Sequence, residues 1–178
     1  MIVIMLKNWK DLPSALRPYK AGAAIFHQND KVTSMFQIVE GEARLIRRNR
    51  NGGTLVLQRA TAGSILAEAS LFATPYHCDA VAATDVNVRV FQRSALRRRF
   101  ETDPTFAKTW VEHLALEIRA TRLRAEILSL KTVSERLSAW LENNGPLPAK
   151  GNWKGLAHEL GTGAEALYRE VAKKNRSL

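Results

Sequence analysis

The sequence predicts an α+β protein with a β domain over residues 1–103, a long helix over 104–131 and a helical segment over 132–178. Short apolar runs separated by glycines occupy the first hundred residues, which is typical of a sandwich or barrel. No Gly or Pro follows Pro104 until Gly145, which leaves room for one uninterrupted helix. Helix-start and helix-end signals then follow one another closely, which indicates several shorter helices.

Four segments of the β domain have the apolar, β-branched or alternating composition of strands: Met35–Val39, Ala43–Arg47, Thr54–Gln58 and Val86–Phe91. Glu40-Gly41 predicts a reversal of the chain between the first two strands. Asn51-Gly52-Gly53 predicts a hairpin turn, because Asn and Gly adopt positive φ at little cost.

The long helix begins with two signals, because Asp103 can cap it and Pro104 fits the first helical position. From Pro104 to Leu130 it would extend for roughly 40 Å. Steps of three and four residues predict a dimer seam formed by Val111, Leu114, Ile118, Thr121, Ala125 and Leu128. A second apolar stripe is predicted to pack on the chain's own β domain and consists of Leu116, Leu123, Ile127 and Leu130. The alternative to a dimer is a helix buried wholly within one chain.

The C-terminal segment contains two predicted capping boxes, Thr132 with Glu135 and Thr162 with Glu165. The first starts a helix whose inner face carries Val133, Leu137, Trp140 and Leu141, and the loop from Asn143 to Pro148 follows it. Leu156, Ala157 and Leu160 form the inner face of the next helix, which Gly161 ends. The spacing of Ala157, Gly161 and Leu167 favours a helix-turn-helix, with a plain αα-hairpin as the alternative.

The chain of 178 residues contains 27 Lys and Arg residues and 17 Asp and Glu residues, which gives a formal net charge of +10. This charge suggests an acidic partner. Residues 1–130 contribute 19 basic and 12 acidic groups, and residues 131–178 contribute 8 and 5. The excess concentrates in Arg44, Arg47, Arg48 and Arg50 and again in Arg97, Arg98 and Arg99, where a solvated face is the alternative to a binding surface.

The single Cys excludes an internal disulfide framework, a Cys-only zinc site and a four-thiolate cluster within this chain. The sequence has no apolar run of about 18 residues and no secretory signal at its start. We therefore expect a soluble, reduced, cytoplasmic protein that spans no membrane. No Ser-His-Asp set, carboxylate pair or metal-ligand spacing stands out, so we expect no enzyme activity and no metal.

With this order of elements, the chain resembles the CRP/FNR family of bacterial transcription regulators. The resemblance covers nearly the whole chain and depends on four motifs, which are Ile25–Asp30, Met35–Gly41, Gly63–Phe72 and the Asp103-Pro104 helix start. It implies a jelly-roll-like double-stranded β-helix, a homodimer through the long helix and a C-terminal DNA-binding domain. It also implies palindromic double-stranded DNA and RNA polymerase as partners, with no resident cofactor and an effector that stays unidentified.

The resemblance places an effector pocket at Ala67, Glu68, Cys78, Asp79, Thr121 and Arg122. Glu68 matches the Glu that accepts from the ribose, and Ala67 replaces the family's Gly before it. Cys78 and Asp79 fall where nucleotide-binding members have the Arg-Ser pair that grips the cyclic phosphate. Thr121 matches a base-contacting position and is followed by Arg122. Since the Arg is lost and Asp79 would repel a phosphate, we expect that cyclic AMP is not the effector.

Other sensing chemistries remain as alternatives. A haem ligand would have to come from His77-Cys78, in the wrong part of the loop for the haem-sensing members. A redox switch at Cys78 would need a lowered thiol pKa.

The resemblance places DNA contacts at Thr162, Ala164, Glu165, Arg169 and Lys173, on the second helix of the pair and at its start. Glu165 could accept from cytosine and Arg169 could pair with guanine, although Glu165 can instead serve the capping box. Ala164 and Glu170 depart from the family pattern. Phosphate contacts are expected from Lys150, Lys154, Lys173, Lys174 and Arg176.

Family members continue into a β-hairpin wing where this sequence stops at Leu178, so we expect a truncated domain with weaker phosphate contacts. The sequence favours a homodimeric DNA-binding regulator. The alternative is an effector- or protein-binding β-roll dimer whose degenerate helix-turn-helix reads no promoter DNA.

Overall fold

A computed structural model of the chain describes Trp9, residues 11–48 and residues 54–174. The hairpin turn predicted at 51–53, together with Arg50 and Arg176, lies outside the described residues. The eight strands among the described residues are β1 Ser14–Tyr19, β2 Ala24–Phe26, β3 Ser34–Glu40, β4 Glu42–Arg48, β5 Thr54–Thr61, β6 Ile65–Leu66, β7 Asp79–Ala82 and β8 Val86–Gln92. The four predicted strands are therefore confirmed as β3, β4, β5 and β8.

The strands form two four-stranded antiparallel sheets, in the orders β1-β8-β3-β6 and β2-β7-β4-β5. Side chains of both sheets meet in one core, which includes Phe36 and Ile38 from β3, Leu45 from β4 and Val88 from β8. The sandwich that the glycine spacing predicted is thus confirmed. Gly41 stands between β3 and β4 with φ +85, at the corner where the chain passes from one sheet to the other.

The other face of the first sheet is also covered, by helix α1 Arg93–Thr102 and the first turns of α2 Pro104–Ser129. Met35 and Phe91 point to this side, one residue out of step with the sandwich core, because alternate strand residues face opposite ways. The ring of Trp9 stacks on that of Trp110 with 5.6 Å between the ring centroids, and it meets the ring of Phe91 edge-on with 4.6 Å between the centroids.

Asp103 caps α2 as predicted, because its Oδ1 accepts hydrogen bonds from the backbone N–H groups of Thr105 at 3.0 Å and Phe106 at 3.1 Å. The prediction for the second apolar stripe is wrong. Phe106 and Trp110, not that stripe, pack with the β domain, while Leu123 and Ile127 pack into a helical core and Leu116 stays 36% exposed. The physical reason is that α2 runs through both compact units of the chain, Met1–Leu114 and Ala115–Leu178, so its buried face serves two different cores.

The second unit contains α3 Val133–Asn144, α4 Trp153–Glu159 and α5 Ala164–Lys174, with a 3-10 turn at Lys150–Asn152. The capping box of α3 is confirmed, since Thr132 and Glu135 exchange both hydrogen bonds. The helical core of this unit, which we call the C-terminal core, is formed by Ile127, Leu137, Leu156, Ala157, Leu160, Leu167 and Val171.

Gly161 ends α4 as predicted, in the left-handed conformation with φ +60. The N–H of Thr162 donates to the Ala157 carbonyl at 2.9 Å, and the N–H of Gly161 donates to the His158 carbonyl at 3.2 Å. This pair of bonds is the Schellman arrangement, which satisfies carbonyls that a helix end leaves open.

The second capping box is wrong. Helix α5 begins at Ala164, and Gly163 supplies the first carbonyl, to the N–H of Leu167 at 3.2 Å. Gly163 therefore holds the cap position, and Thr162 lies one residue before it instead of at the position that the predicted capping box requires. The carboxylate of Glu165 is consequently available for other contacts.

Candidate effector pocket and nucleic-acid interface

The predicted effector segment leaves β6 through Ala67, a buried residue with φ +64. A left-handed conformation is uncommon for alanine and easy for glycine, so the Gly that the family resemblance places at this position would adopt it without strain. The chain then forms a 3-10 helix over Glu68–Leu71, with the Ser70 N–H donating to the Ala67 carbonyl at 2.8 Å. Glu68 is the first residue of this helix and is half-buried.

Cys78 and Asp79 lie beside this segment at the start of β7. Burial raises the pKa of the Cys78 thiol to about 11, with Arg47 acting against the rise and the carboxylates of Asp79 and Glu68 adding to it. The structure thus brings Glu68, Cys78 and Asp79 into one electrostatic neighbourhood. A buried neutral thiol does not fit a redox switch, which requires an accessible thiolate.

The Asp79 carboxylate is already engaged. Its Oδ1 accepts a hydrogen bond from the Gln28 N–H at 2.7 Å, and His27 Nδ1 lies 3.7 Å from the same oxygen. Arg48 Nε is 3.9 Å from Oδ2. The two positions that match the family's phosphate-binding Arg-Ser pair therefore hold a neutral thiol and a carboxylate, neither of which provides a positive charge for an anion.

The basic run on β4 is largely committed to partners, which its residue pattern did not indicate. Burial opposes ionisation of Glu42, but hydrogen bonds from Arg59 and then Arg44 outweigh it and hold the pKa of that carboxyl below its ordinary value. Arg44 Nε donates to Glu42 Oε1 at 2.9 Å, and Arg47 Nη2 donates to the His77 carbonyl at 3.0 Å. The Arg47 contact joins residues 30 apart in the chain, whereas Arg44 and Glu42 are only two residues apart on β4.

The predicted dimer seam is partly open to solvent. Val111 is 56% and Ile118 50% exposed, and Thr121 and Ala125 are exposed as well. Leu114 packs against the Trp9–Trp110 cluster, and Leu128 is half-buried in the second unit. Thr121 and Arg122, which were assigned to the effector pocket, lie exposed on the part of α2 that belongs to the second unit.

The predicted DNA-reading residues divide into two groups. Glu165, Arg169 and Lys173 are exposed and follow one another at intervals of four, so they occupy one face of α5. We call this the exposed face of α5. Ala164 instead packs partly against the C-terminal core, and Thr162 precedes the helix. Glu170, the other departure from the family pattern, is largely covered and pairs with Lys173 Nζ at 2.8 Å.

Two tryptophans hold the helix pair α4–α5 in place. Trp140 Nε1 donates to Glu159 Oε2 at 3.2 Å, which ties α3 to the end of α4. Trp153 Nε1 donates to the Pro148 carbonyl at 2.9 Å, and its ring lies 5.2 Å from that of Tyr168 on α5.

Arg136 is the second-unit residue that the sequence analysis missed. Its guanidinium donates to the carbonyls of Leu130 at 2.9 Å and Leu160 at 3.1 Å. No local pattern signals such a contact, because the acceptors are backbone atoms of two other segments.

Within the described residues, no helix has the length and hydropathy needed to cross a membrane. The same part of the chain holds no group of three or more His, Cys, Asp or Glu side chains placed to bind a metal.

Residues 16–103 match the family of cyclic nucleotide-binding domains. A comparison with curated proteins gave no match. Among solved structures, FixK2 from Bradyrhizobium japonicum is similar with a TM-score of 0.76 and 21% identity, covering 93% of this chain and 86% of that one. The c-di-GMP-responsive global regulator CLP from Xanthomonas campestris has a TM-score of 0.68 and 16% identity, covering 99% and 91%.

A transcriptional regulator of the CRP family from Thermus thermophilus is similar with a TM-score of 0.64 and 16% identity, covering 90% of this chain and 85% of that one. Residues 16–103 are thus similar to cyclic nucleotide-binding domains, and the chain shares its fold with these three solved structures, of which the Thermus thermophilus protein is a transcriptional regulator of the CRP family.

Proposed function

We propose that this protein is a DNA-binding transcription regulator of the CRP/FNR type that acts as a homodimer, with an effector other than cyclic AMP or with none. The observation that carries the proposal is the exposed face of α5. Glu165 and Arg169 stand exposed there, one turn apart. The opposite side of the helix is fixed in the C-terminal core by Leu167 and Val171.

This arrangement suits binding in the major groove of DNA, because a helix that is packed on one side can place the exposed residues of its first two turns against the base edges. An Arg fork pairs with the O6 and N7 atoms of guanine, and a carboxylate accepts from the cytosine amino group. Since Gly163 rather than Thr162 caps α5, the carboxylate of Glu165 is available for this contact. Lys173 supplies charge near phosphates without specifying sequence.

The DNA experiment uses duplexes from the region upstream of the gene and a random duplex of equal length, measured by fluorescence anisotropy at about 50 and 200 mM salt. We expect Arg169→Ala to weaken binding to the preferred duplex by about tenfold or more, as one bidentate base contact is worth roughly 1–3 kcal/mol. Arg98→Ala is the matched control, because Arg98 is exposed on α1 and its loss changes the net charge equally. We expect this control to stay within about twofold of wild type, in line with a surface charge that makes no base contact. A wild-type protein with no preference over random DNA at low salt would favour the β-roll dimer that reads no promoter.

Homodimerisation through α2 is supported by the exposed apolar side chains of Val111 and Ile118 on the predicted seam. Apolar groups at this spacing are buried when a second helix packs alongside. Sedimentation of Ile118→Asp should give a monomer, since a charge in the seam would lose its hydration. Ala120→Asp introduces the same charge at an exposed position on another face of α2 and should leave the dimer intact. A wild-type monomer at micromolar concentration would contradict the dimer.

The exclusion of cyclic AMP is supported by the chemistry at Cys78 and Asp79. A cyclic phosphate transferred from water to this site would meet a neutral thiol and a carboxylate and would lack the guanidinium fork that repays desolvation. Because CLP is described as responsive to c-di-GMP, calorimetry should compare cyclic AMP with c-di-GMP. We expect no heat of binding from cyclic AMP at micromolar protein, and micromolar affinity would refute this part of the proposal.

A further inference from the structure

A side chain from a third helix, Arg136 of α3, donates hydrogen bonds to the backbone turn between α4 and α5. Arg136 Nε donates to the Leu130 carbonyl at 2.9 Å, one residue beyond the end of α2. Arg136 Nη1 donates to the Leu160 carbonyl at 3.1 Å and lies 3.4 Å from the Gly161 carbonyl. The guanidinium therefore joins the end of α2 to the turn that leads into α5.

We propose that Arg136 is a positioning residue that sets the orientation of α5 by fixing the α4–α5 turn to the end of α2. The inference rests on the proposed DNA-binding function and assigns to Arg136 no contact with DNA. It makes the affinity for a specific sequence depend on three backbone acceptors, those of Leu130, Leu160 and Gly161.

The chemistry of the acceptors favours arginine. Helix C-termini leave backbone carbonyls without helical partners and carry a negative partial charge. One guanidinium serves two such ends here, because its planar fork directs N–H groups along separate lines. A Lys ammonium keeps the charge but is a point donor on a flexible stem, so it does not hold the two segments in a fixed relative position.

Packing at the turn makes this linkage tight. A Cβ placed on Gly161 would lie 2.8 Å from Leu128 Cδ2 and 3.4 Å from Arg136 Nη1. The turn is thus in close contact with the last turns of α2 as well as with the guanidinium. Because α5 begins three residues after Gly161, a shift of this turn is transmitted directly to the helix that carries Glu165 and Arg169.

The experiment compares Arg136→Lys and Arg136→Gln with Trp140→Phe. The control removes the Trp140–Glu159 hydrogen bond, which also ties α3 to the last residue of α4 but is made to a side chain and not to the backbone carbonyls of the turn. Two measurements are made on each full-length variant, well below its melting temperature. Amide hydrogen exchange is followed at Gly161 and Thr162, whose N–H groups donate within the turn. Anisotropy gives the affinity for the preferred upstream duplex and for random duplex of equal length.

We expect faster exchange at Gly161 and Thr162 in both Arg136 variants but not in Trp140→Phe. The ratio of specific to random affinity should fall by about tenfold in the Arg136 variants, the size of a typical positional coupling. A merely structural role would lower the melting temperature of all three variants and leave that ratio unchanged in the folded protein.

Unchanged exchange at the turn in both Arg136 variants would overturn the inference, as would a ratio equal to that of Trp140→Phe. If the wild-type protein prefers no sequence, the proposed function fails. In that case the exchange data alone decide whether Arg136 positions the turn, so the two failures are distinguishable.

Discussion

The corner between β3 and β4 provides a quantitative test of the fold, through Gly41→Ala with Gly22→Ala as its matched control. The two glycines have nearly the same φ, +85 at Gly41 and +84 at Gly22, and both lie in the β unit. They differ in their surroundings. A Cβ on Gly22 would meet nothing within 4 Å, whereas one on Gly41 would lie 2.3 Å from the Asp85 carbonyl oxygen.

The expected magnitudes follow from these contacts. An alanine at positive φ costs about 1–2 kcal/mol, and the stiffer unfolded chain returns about 0.4–1 kcal/mol. Gly22→Ala should therefore lower the free energy of unfolding by about 1 kcal/mol. Gly41→Ala adds an overpacking cost of about 1–3 kcal/mol, so we expect a loss of about 3 kcal/mol in total.

The Asp85 carbonyl cannot easily retreat from a new Cβ. It accepts a hydrogen bond from Thr84 Oγ1 at 3.0 Å, and the same Thr84 oxygen accepts from the Glu42 N–H at 3.0 Å. The Asp85 carboxylate is also fixed, by Lys20 Nζ at 2.7 Å and the Ala21 N–H at 2.9 Å. The clash must therefore be relieved by moving backbone.

Native-state hydrogen exchange of the slowest β3 and β4 amides measures the unfolding free energy of the β unit separately from the helical unit. Equal losses in the two variants would refute the reasoning, because the steric contact at Gly41 would then contribute nothing.

Two further predictions concern titrating groups. Cys78 should react with iodoacetamide at pH 8 roughly two orders of magnitude more slowly in the native protein than in urea, because burial raises the pKa of its thiol from 9.0 to about 11. Mass spectrometry follows the single thiol, and equal rates would contradict the burial. The pKa of Asp103 lies below its ordinary value of 3.8, chiefly because its carboxylate accepts a hydrogen bond from the Phe106 N–H. Burial acts in the opposite direction, and the hydrogen bonds from Arg99 and Thr105 lower the pKa further. The resulting stabilisation is present above that value and is lost as the pH falls through the lower folded pKa. The stability difference between wild type and Asp103→Asn, measured by urea unfolding, should accordingly shrink below about pH 4, and a constant difference down to pH 2 would contradict the assignment.

Local signals in the sequence were sufficient for most of the secondary structure. Apolar, β-branched or alternating composition predicted β3, β4, β5 and β8, and Asp103-Pro104 predicted the start of α2, because these features depend on neighbouring residues. The exception at Thr162 is instructive. The Thr-x-x-Glu spacing matches a capping box, but α5 begins at Ala164, so Gly163 and not Thr162 holds the cap position.

The site was less predictable, since its contacts join distant parts of the chain. The sequence identified Glu68, Cys78 and Asp79 as one candidate pocket only through resemblance, and it could not foresee that Gln28, His27 and Arg48 surround Asp79. The basic run on β4 looked like a solvated or DNA-attracting face, yet Arg44 and Arg47 are bound to Glu42 and to the His77 carbonyl.

By itself, the sequence determined the order of the elements, the ends of most helices and the presence of Cys78 where the family resemblance places a phosphate-binding Arg. These follow from residue identity, periodicity and backbone preferences within a few positions. Only the tertiary structure decided which side of α2 serves which core, that Glu165 is released from capping, and that Arg136 holds the turn before α5. The reason is physical, because burial and hydrogen bonding to backbone carbonyls depend on which distant segments of the chain come into contact. A local pattern of side chains does not specify those contacts.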